Sequence, residues 1–156
     1  MPPHLKDDLR RQLDNWLAKG IVVKAEDTCA YSSPLVPISK KDKTIRWAAD
    51  FRALNQITRV DHRPVPSVYE KLAGLKAKHN KPLKYFCLID LQDAFFNIPV
   101  AEEDQEKTTI VTPFGLFKYT RLPFGLAAAP GCFNAMIQVL EDRLTKDDPL
   151  AEQILI

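Results

Sequence analysis

Residues 84–100, KYFCLIDLQDAFFNIPV, change hydrophobic period partway along, and this change restricts how the chain can fold. The first part, KYFCLID, is rich in aromatic and branched side chains, which favour a buried strand. The second part, DAFFNIPV, has a helical period and predicts a short helical segment stopped by Pro99. Asp90 therefore falls at the end of a strand, and Asp93 falls at the start of a helical turn.

Three further segments have helical signals. Residues 5–19 carry apolar side chains at helical spacing and are followed by Gly20, which predicts an amphipathic helix. Ser67 and Glu70 form a capping-box signature at the start of a short helix. Residues 129–144 predict a core-facing helix, in which Pro130 is tolerated in the first turn.

Two segments predict β-hairpins. Residues 33–39 and 44–50 flank the turn-prone KKDK, and residues 107–123 contain a turn built on Pro113 and Gly115. The final QILI, residues 153–156, predicts the opening of another strand. Strands and helices in this order predict one α+β unit.

Composition limits the class of protein. The 156 residues are 46% hydrophobic and 27% charged, as in a globular domain with a core. No run suits a membrane span and the first residues lack a secretory h-region, so we expect an intracellular protein, cytoplasmic or nuclear, without a membrane partner. Cys29, Cys87 and Cys132 lack the spacing of a disulfide framework or zinc site and predict buried or idle thiols.

Positive charge is concentrated in residues 31–63, where seven basic residues face three acidic ones. The basic residues are Lys40, Lys41, Lys43, Arg46, Arg52, Arg59 and Arg63. Such a surface can hold phosphates, although an ordinary solvated face is the simpler explanation of the charge alone.

The two acids of the opening segment have different explanations. Asp93 stands where a first-turn acid or helix N-cap is expected. Asp90 projects past a buried strand, where an ionised carboxylate is costly unless it is paired or binds a metal. Magnesium accepts such carboxylates together with substrate phosphates, so a metal site and a salt bridge both remain open for Asp90.

Three ordered motifs carry a resemblance to a known family. The segments SSPLVPISKKDKTIRWAADFRALNQIT, LIDLQDAFFNIPV and LPFGLAAAP resemble the fingers and palm motifs of reverse transcriptases, and PPHLKDDLRRQLDNWLAKGIV resembles the preceding helix in long-terminal-repeat retrotransposons and retroviruses. The resemblance covers nearly the whole chain. It implies an α+β fold of fingers and partial palm with antiparallel strands and packed helices. The implied parts are a leading segment at 1–30, mainly fingers at 31–83, and mainly palm at 84–156 with an inserted hairpin near 108–121.

The resemblance also implies roles for residues of the second motif. Asp90 matches the first catalytic carboxylate, which holds Mg²⁺, and Leu91 matches a position whose backbone faces the metal-bound triphosphate. Phe95 matches the steric gate that crowds the sugar 2′ position, although an ordinary core aromatic is the simpler reading of the residue alone. Asp93 and Ala94 match positions whose backbone lies near the triphosphate.

The first and third motifs imply contacts to nucleotide and template. Lys40 or Lys41, together with Arg46, match basic residues that close on the triphosphate. Asp50 and Arg52 match a pair that supports the fingers near the template. Phe124, Gly125 and Pro130 match the loop and helix start that hold the nascent base pair and template strand. Phenylalanine at 124, where the retroviral branch usually has glutamine, points to a retroelement.

The remaining catalytic carboxylates of the family lie in a Tyr-x-Asp-Asp hairpin, and the sequence contains no such motif. Asp147 and Asp148 stand beside Pro149 and predict a solvated loop. We therefore expect the 156-residue polypeptide alone to have no polymerase activity, and we expect QILI to offer an edge for self-association.

Two functional classes follow from the sequence. The first is part of an RNA-directed DNA polymerase, whose partners are an RNA/DNA template-primer, deoxynucleoside triphosphates and Mg²⁺. The second is a domesticated, non-catalytic module that binds nucleic acid or protein through the basic surface.

Overall fold

A computed structural model describes residues 2–42, 44–60, 67, 69–70, 72–74 and 90–147, with side chains up to residue 143. The chain divides into two compact units, residues 1–59 with 93–129, and residues 60–92 with 130–156. The predicted strand at 84–89, the final QILI, and the Asp148–Pro149 segment lie outside the described residues.

The first unit contains a five-stranded sheet with helices around it. Its helices are α1 (Pro3–Ala18), α2 (Arg52–Ile57) and α3 (Glu102–Gln105), with 3₁₀ turns at Ala94–Asn97 and Glu106–Thr108. Its strands are β1 (Val22–Lys24), β2 (Ser33–Ser39), β3 (Ile45–Ala49), β4 (Ile110–Thr112) and β5 (Gly115–Tyr119). The strand order is β1-β5-β4-β2-β3, so β3 lies at an edge of the sheet. This mixture of strands and helices confirms the predicted α+β fold.

Both predicted hairpins are confirmed. Strands β2 and β3 pair antiparallel, with Leu35 opposite Ala49 and Ser39 opposite Ile45. Strands β4 and β5 also pair antiparallel across the Pro113–Phe114 turn. Gly115 follows that turn with a φ of 111°, a backbone conformation that side-chain-bearing residues rarely adopt.

Two strand pairings were not foreseen from the sequence: the antiparallel pairing of β1 with β5, and the pairing of β2 with β4. Strands β2 and β4 run parallel, with Ser33 opposite Ile110 and Pro34 opposite Val111. The backbone N–H of Ser33 also donates to the carbonyl of Thr109 at 2.8 Å. The two hairpins therefore form one continuous sheet, although local alternation patterns contain no information about which hairpins meet.

Helix α1 covers the core face of this sheet. Leu9, Leu13 and Trp16 on the helix are buried against apolar side chains from all five strands. Those strand residues are Val22, Leu35, Trp47, Ala49, Ile110, Phe117 and Tyr119. The Asp8 carboxylate also accepts a hydrogen bond from the Trp47 indole at 2.9 Å, which ties the helix to the edge strand β3.

The second unit contains α4, which spans Ala129–Asp147 and places Pro130 in its first turn as predicted. The capping box is confirmed, because the Ser67 hydroxyl accepts from the Tyr69 N–H and the Glu70 carboxylate accepts from the Ser67 N–H, both at 3.3 Å. Cys132 is a free, exposed thiol. Among the described residues, no helix combines the length and apolar character needed to cross a membrane.

We predict that Leu13→Ala destabilises the protein by about 2–5 kcal/mol, because it leaves a cavity where the side chain is only 1% exposed. The matched control is Leu17→Ala on the same helix, where the side chain is 40% exposed. Chemical denaturation followed by Trp fluorescence gives the free energy of unfolding of each variant. Equal, small losses in both would contradict the packing of α1 on the sheet.

Candidate functional site

The β2–β3 hairpin carries the candidate phosphate-binding cations. Arg46 lies opposite Ile38 in the pairing register, and the Lys40 N–H donates to the Thr44 carbonyl at 2.8 Å, which extends the pairing beyond Ser39. Alternate residues of a strand share a face, so Lys40 follows Ile38 on the face that carries Arg46. Lys41 is exposed at the tip. Of the two candidate lysines, the register therefore favours Lys40.

The hairpin tip is shaped by Asp42. Its carboxylate accepts from the Thr44 N–H at 3.0 Å and from the Thr44 hydroxyl at 2.6 Å. These hydrogen bonds, the side-chain one first and with a smaller contribution from Lys40, lower the pKa of Asp42 below its ordinary value. The acid of the KKDK turn thus has a structural role in holding the tip.

Arg46 lies on an aromatic ring. Its guanidinium carbon is 4.3 Å from the centroid of the Phe124 ring, a cation–π contact. No carboxylate within the described ranges forms a salt bridge with Arg46. Because a cation–π contact does not engage the N–H groups in conventional hydrogen bonds, those of Arg46 are available to a ligand.

Phe124 also contacts the 3₁₀ turn that carries the candidate sugar gate. The rings of Phe95 and Phe124 meet edge to face with centroids 5.1 Å apart, and those of Phe96 and Phe124 do so at 5.4 Å. Phe96 in turn stacks on Tyr119 of the core at 6.4 Å. Phe95 is half-buried and is therefore neither a fully buried core residue nor freely exposed.

The backbone at Asp93 is unusual. Its φ of 50° and ψ of 40° are left-handed, and it is the one non-glycine residue with positive φ among those described. It occupies the N-cap position of the turn that Ala94 begins, but its side chain makes no capping hydrogen bond. The capping explanation for this acid is therefore wrong. The Asp93 carbonyl instead accepts from the Phe96 N–H at 2.8 Å, and its carboxylate is exposed.

The loop after Leu122 is docked against β3 and α2. Gly125 has a φ of 97°, and a Cβ there would lie 3.2 Å from the Ala49 carbonyl oxygen. Asn55 donates from Nδ2 to the Gly125 carbonyl and accepts at Oδ1 from the Ala127 N–H, both at 2.8 Å. One carbonyl and one N–H thus fix the orientation of the amide.

Sequence reasoning missed Asn55. It falls within the quoted ADFRALN segment, but asparagine near the end of a short helix has many ordinary uses, and its partners lie 70 and 72 residues further along the chain. Only the tertiary structure brings the two together.

Asp50 and Arg52 form the expected pair. The Arg52 Nε donates to Asp50 Oδ1 at 2.8 Å, and its Nη2 donates to Oδ2 at 2.6 Å. Hydrogen bonding from Arg52 lowers the pKa of Asp50, and the same contact raises the pKa of Arg52. The Arg52 side chain is 88% exposed, so part of the guanidinium still faces solvent.

The first unit therefore brings together Arg46, Phe95, Phe124 and Gly125. Asp90, Leu91 and Pro130 belong to the second unit and are all exposed. Across the described part of the chain, no three His, Cys, Asp or Glu side chains come together as a metal site. Asp90 and the Leu91 carbonyl offer oxygen donors of the kind that hard divalent cations bind, but they do not complete a coordination shell.

Comparison with known proteins agrees with the fold. The family model described as "Reverse transcriptase (RNA-dependent DNA polymerase)" matches residues 38–154. The Retrovirus-related Pol polyprotein from transposon opus of Drosophila melanogaster is 34% identical over 151 residues, covering 93% of this chain and 14% of the relative. The Transposon Tf2-3 polyprotein of Schizosaccharomyces pombe is 26% identical over 140 residues, covering 90% and 10%.

Solved structures share the fold at lower identity. The foamy viral protease-reverse transcriptase in complex with RNA/DNA hybrid has a TM-score of 0.70 and 21% identity, covering 92% of this chain and 18% of that chain. The corresponding protein in complex with double-stranded DNA has a TM-score of 0.68 and 22% identity, covering 89% and 23%. The chain thus spans a small part of the length of the proteins it matches.

We predict that Gly125→Ala destabilises the protein more than Gly115→Ala. Both glycines have positive φ, so both variants incur backbone strain of about 1–3 kcal/mol. Only at Gly125 does the added Cβ also press on backbone, whereas nothing lies within 4 Å at Gly115. Thermal and chemical denaturation measure the difference, and equal losses would contradict the close approach of the loop to Ala49.

We predict that Asn55→Ala frees the loop locally. The loss of two hydrogen bonds costs about 1–3 kcal/mol and should speed amide hydrogen exchange at Ala127, whose N–H loses its partner. The control is Thr58→Ala, which removes a hydroxyl bond to the Leu54 carbonyl near the same helix end. Unchanged exchange at Ala127 in Asn55→Ala would show that the amide does not hold the loop.

Proposed function

The chain belongs to the reverse transcriptase (RNA-dependent DNA polymerase) family, and from this premise we propose that its first unit forms the nucleotide-binding side of an RNA-directed DNA polymerase. In this proposal, Arg46 and Lys40 bind the triphosphate, with Lys41 beside them at the hairpin tip. Phe95 limits the space at the sugar 2′ position, and the backbone at Asp93 and Ala94 lines the path between sugar and phosphates.

The observation that carries the proposal is the combination at Phe124. A guanidinium with free N–H edges and a half-buried aromatic ring both contact the Phe124 side chain. A nucleoside triphosphate needs cationic donors at one end and an apolar surface at its sugar, and this cluster provides both.

We further propose that Asp90 and the Leu91 carbonyl ligate the divalent cation that this family requires, and that the cation is Mg²⁺. Magnesium is usually held by one or two carboxylates together with substrate phosphates, so one exposed carboxylate with an adjacent carbonyl suits that donor set. The cation, when bound, would neutralise triphosphate charge. Further ligands would come from phosphate oxygens.

The template strand is the third element of the proposal. The foamy viral relatives were solved with double-stranded DNA and with RNA/DNA hybrid, and their shared fold supports nucleic-acid binding by this chain. Arg52, with its exposed guanidinium, would contact the template backbone. Gly125, which has no side chain, would allow the strand to approach the main chain closely.

We predict that dTTP with Mg²⁺ shifts the NMR signals of the Arg46 side-chain N–H and of the Lys40 and Ala94 amides. Arg46→Ala should weaken dTTP binding by about tenfold, because a charge-assisted hydrogen bond to phosphate contributes about 1.5–3 kcal/mol. A ¹H–¹⁵N titration of the labelled chain measures both effects.

The matched control is Arg10→Ala. Arg10 also lies over an aromatic ring, 4.9 Å from the Phe114 centroid. However, Arg10 is on α1 and Phe114 is in the β4–β5 turn. Loss of the Arg10 side chain should leave dTTP binding unchanged. The proposal fails if dTTP leaves the wild-type signals in place, or if Arg10→Ala and Arg46→Ala weaken binding equally.

A further inference from the structure

We propose that Phe124 is a positioning residue that sets the orientation of Arg46 and of Phe95 at once, so that triphosphate binding and sugar selection depend on one ring. This inference rests on the proposed function for its consequence in binding. Its structural part, the joint placement of Arg46 and Phe95, can be tested in the free protein.

Three side chains contact the Phe124 ring. Arg46 contacts the ring at 4.3 Å from its centroid, in cation–π geometry. Phe95 meets the same side chain edge to face at 78°, and Phe96 does so at 82°. The Phe124 ring therefore contacts Arg46 and both phenylalanines of the 3₁₀ turn. One ring thus joins the candidate phosphate-binding residue to the candidate sugar gate.

The contact with Phe124 also affects the freedom of the Arg46 side chain. Arginine loses considerable side-chain entropy when it is fixed, and an exposed one ordinarily samples many rotamers. Contact with the ring restricts the guanidinium without engaging its N–H groups in conventional hydrogen bonds. Phe124 therefore reduces the side-chain entropy that Arg46 loses when it binds a phosphate.

Contacts through Phe96 and through Gly125 hold the Phe124 ring in place. Phe96 connects it to the core through its stacked contact with Tyr119. The adjacent Gly125 is fixed by the Asn55 hydrogen bond and by its close approach to Ala49. Because both supports belong to the first unit and pack against its core, a shift of Phe124 would have to displace Arg46 and Phe95 together.

The experiment uses the full 156-residue chain, labelled with ¹⁵N and with ¹³C at phenylalanine, and compares Phe124→Leu with Phe124→Tyr. Leucine keeps apolar volume but removes the ring, whereas tyrosine keeps the ring. Phe114→Leu is the matched control, because it removes a ring that lies beneath Arg10 and Lys6 instead. The readouts are the Arg46 Hε chemical shift, the Phe95 ring signals, and the apparent Kd for dTTP.

In Phe124→Leu we expect the Arg46 Hε signal to lose its ring-current displacement, the Phe95 ring signals to move, and dTTP to bind about threefold more weakly. Phe124→Tyr should resemble the wild type in all three readouts. Phe114→Leu should leave all three readouts unchanged and should move the signals of Arg10 and Lys6 instead. An unchanged Arg46 signal in Phe124→Leu, or a tyrosine variant as impaired as leucine, would overturn the proposal.

Two further outcomes keep the inference separate from the proposed function. If the wild-type chain does not bind dTTP, the proposed function fails, while the Arg46 and Phe95 signals in the free variants still decide whether Phe124 positions both. If Phe124→Leu does not fold, Arg46→Ala gives the same information. It should shift the Phe124 and Phe95 ring signals, whereas Arg10→Ala should not, and unshifted rings in Arg46→Ala would refute the coupling.

Discussion

The close approach of the Gly125 backbone to strand β3 is the constraint on which the candidate site depends. A side chain at this position would press on the Ala49 carbonyl at 3.2 Å, and only glycine readily adopts the φ of 97°. Asn55 then bonds the loop at Gly125 and Ala127. Together these contacts hold the loop so that the Phe124 ring lies against the guanidinium of Arg46 on β3.

Arg46 and Arg52 differ in how many of their N–H donors are already used in hydrogen bonds. Arg52 is bound to Asp50 through two nitrogens, and this contact accounts for the lowered pKa of the acid. Arg46 rests on a ring that takes none of its donors. A ligand phosphate can therefore bind Arg46 without displacing a carboxylate, whereas binding at Arg52 competes with an existing pair.

Local pattern predicted helix α1 and both hairpins, but it did not predict β1, α2 or α3, or how the elements meet. Helix α1 and both hairpins follow from apolar spacing and turn residues, because those signals lie within each segment. The parallel pairing of β2 with β4 and the amide bridge of Asn55 join residues about 70 or more positions apart, and no local pattern encodes them. The left-handed backbone of Asp93 was missed for another reason, since a helix-capping acid explains the same sequence equally well. The candidate site residues follow from the family resemblance. The structure brings four of them together in the first unit, namely Arg46, Phe95, Phe124 and Gly125.

The central claim is that the cluster of Arg46, Phe95 and Phe124 binds a deoxynucleoside triphosphate as one unit. The most direct measurement is the set of intermolecular NOEs between dTTP, with Mg²⁺, and the phenylalanine-labelled chain. The account predicts NOEs from the deoxyribose 2′ protons to the Phe95 ring, with none to the Phe114 ring of the β4–β5 turn. NOEs to Phe114 alone, or bound dTTP without any NOE to Phe95 or Phe124, would contradict it.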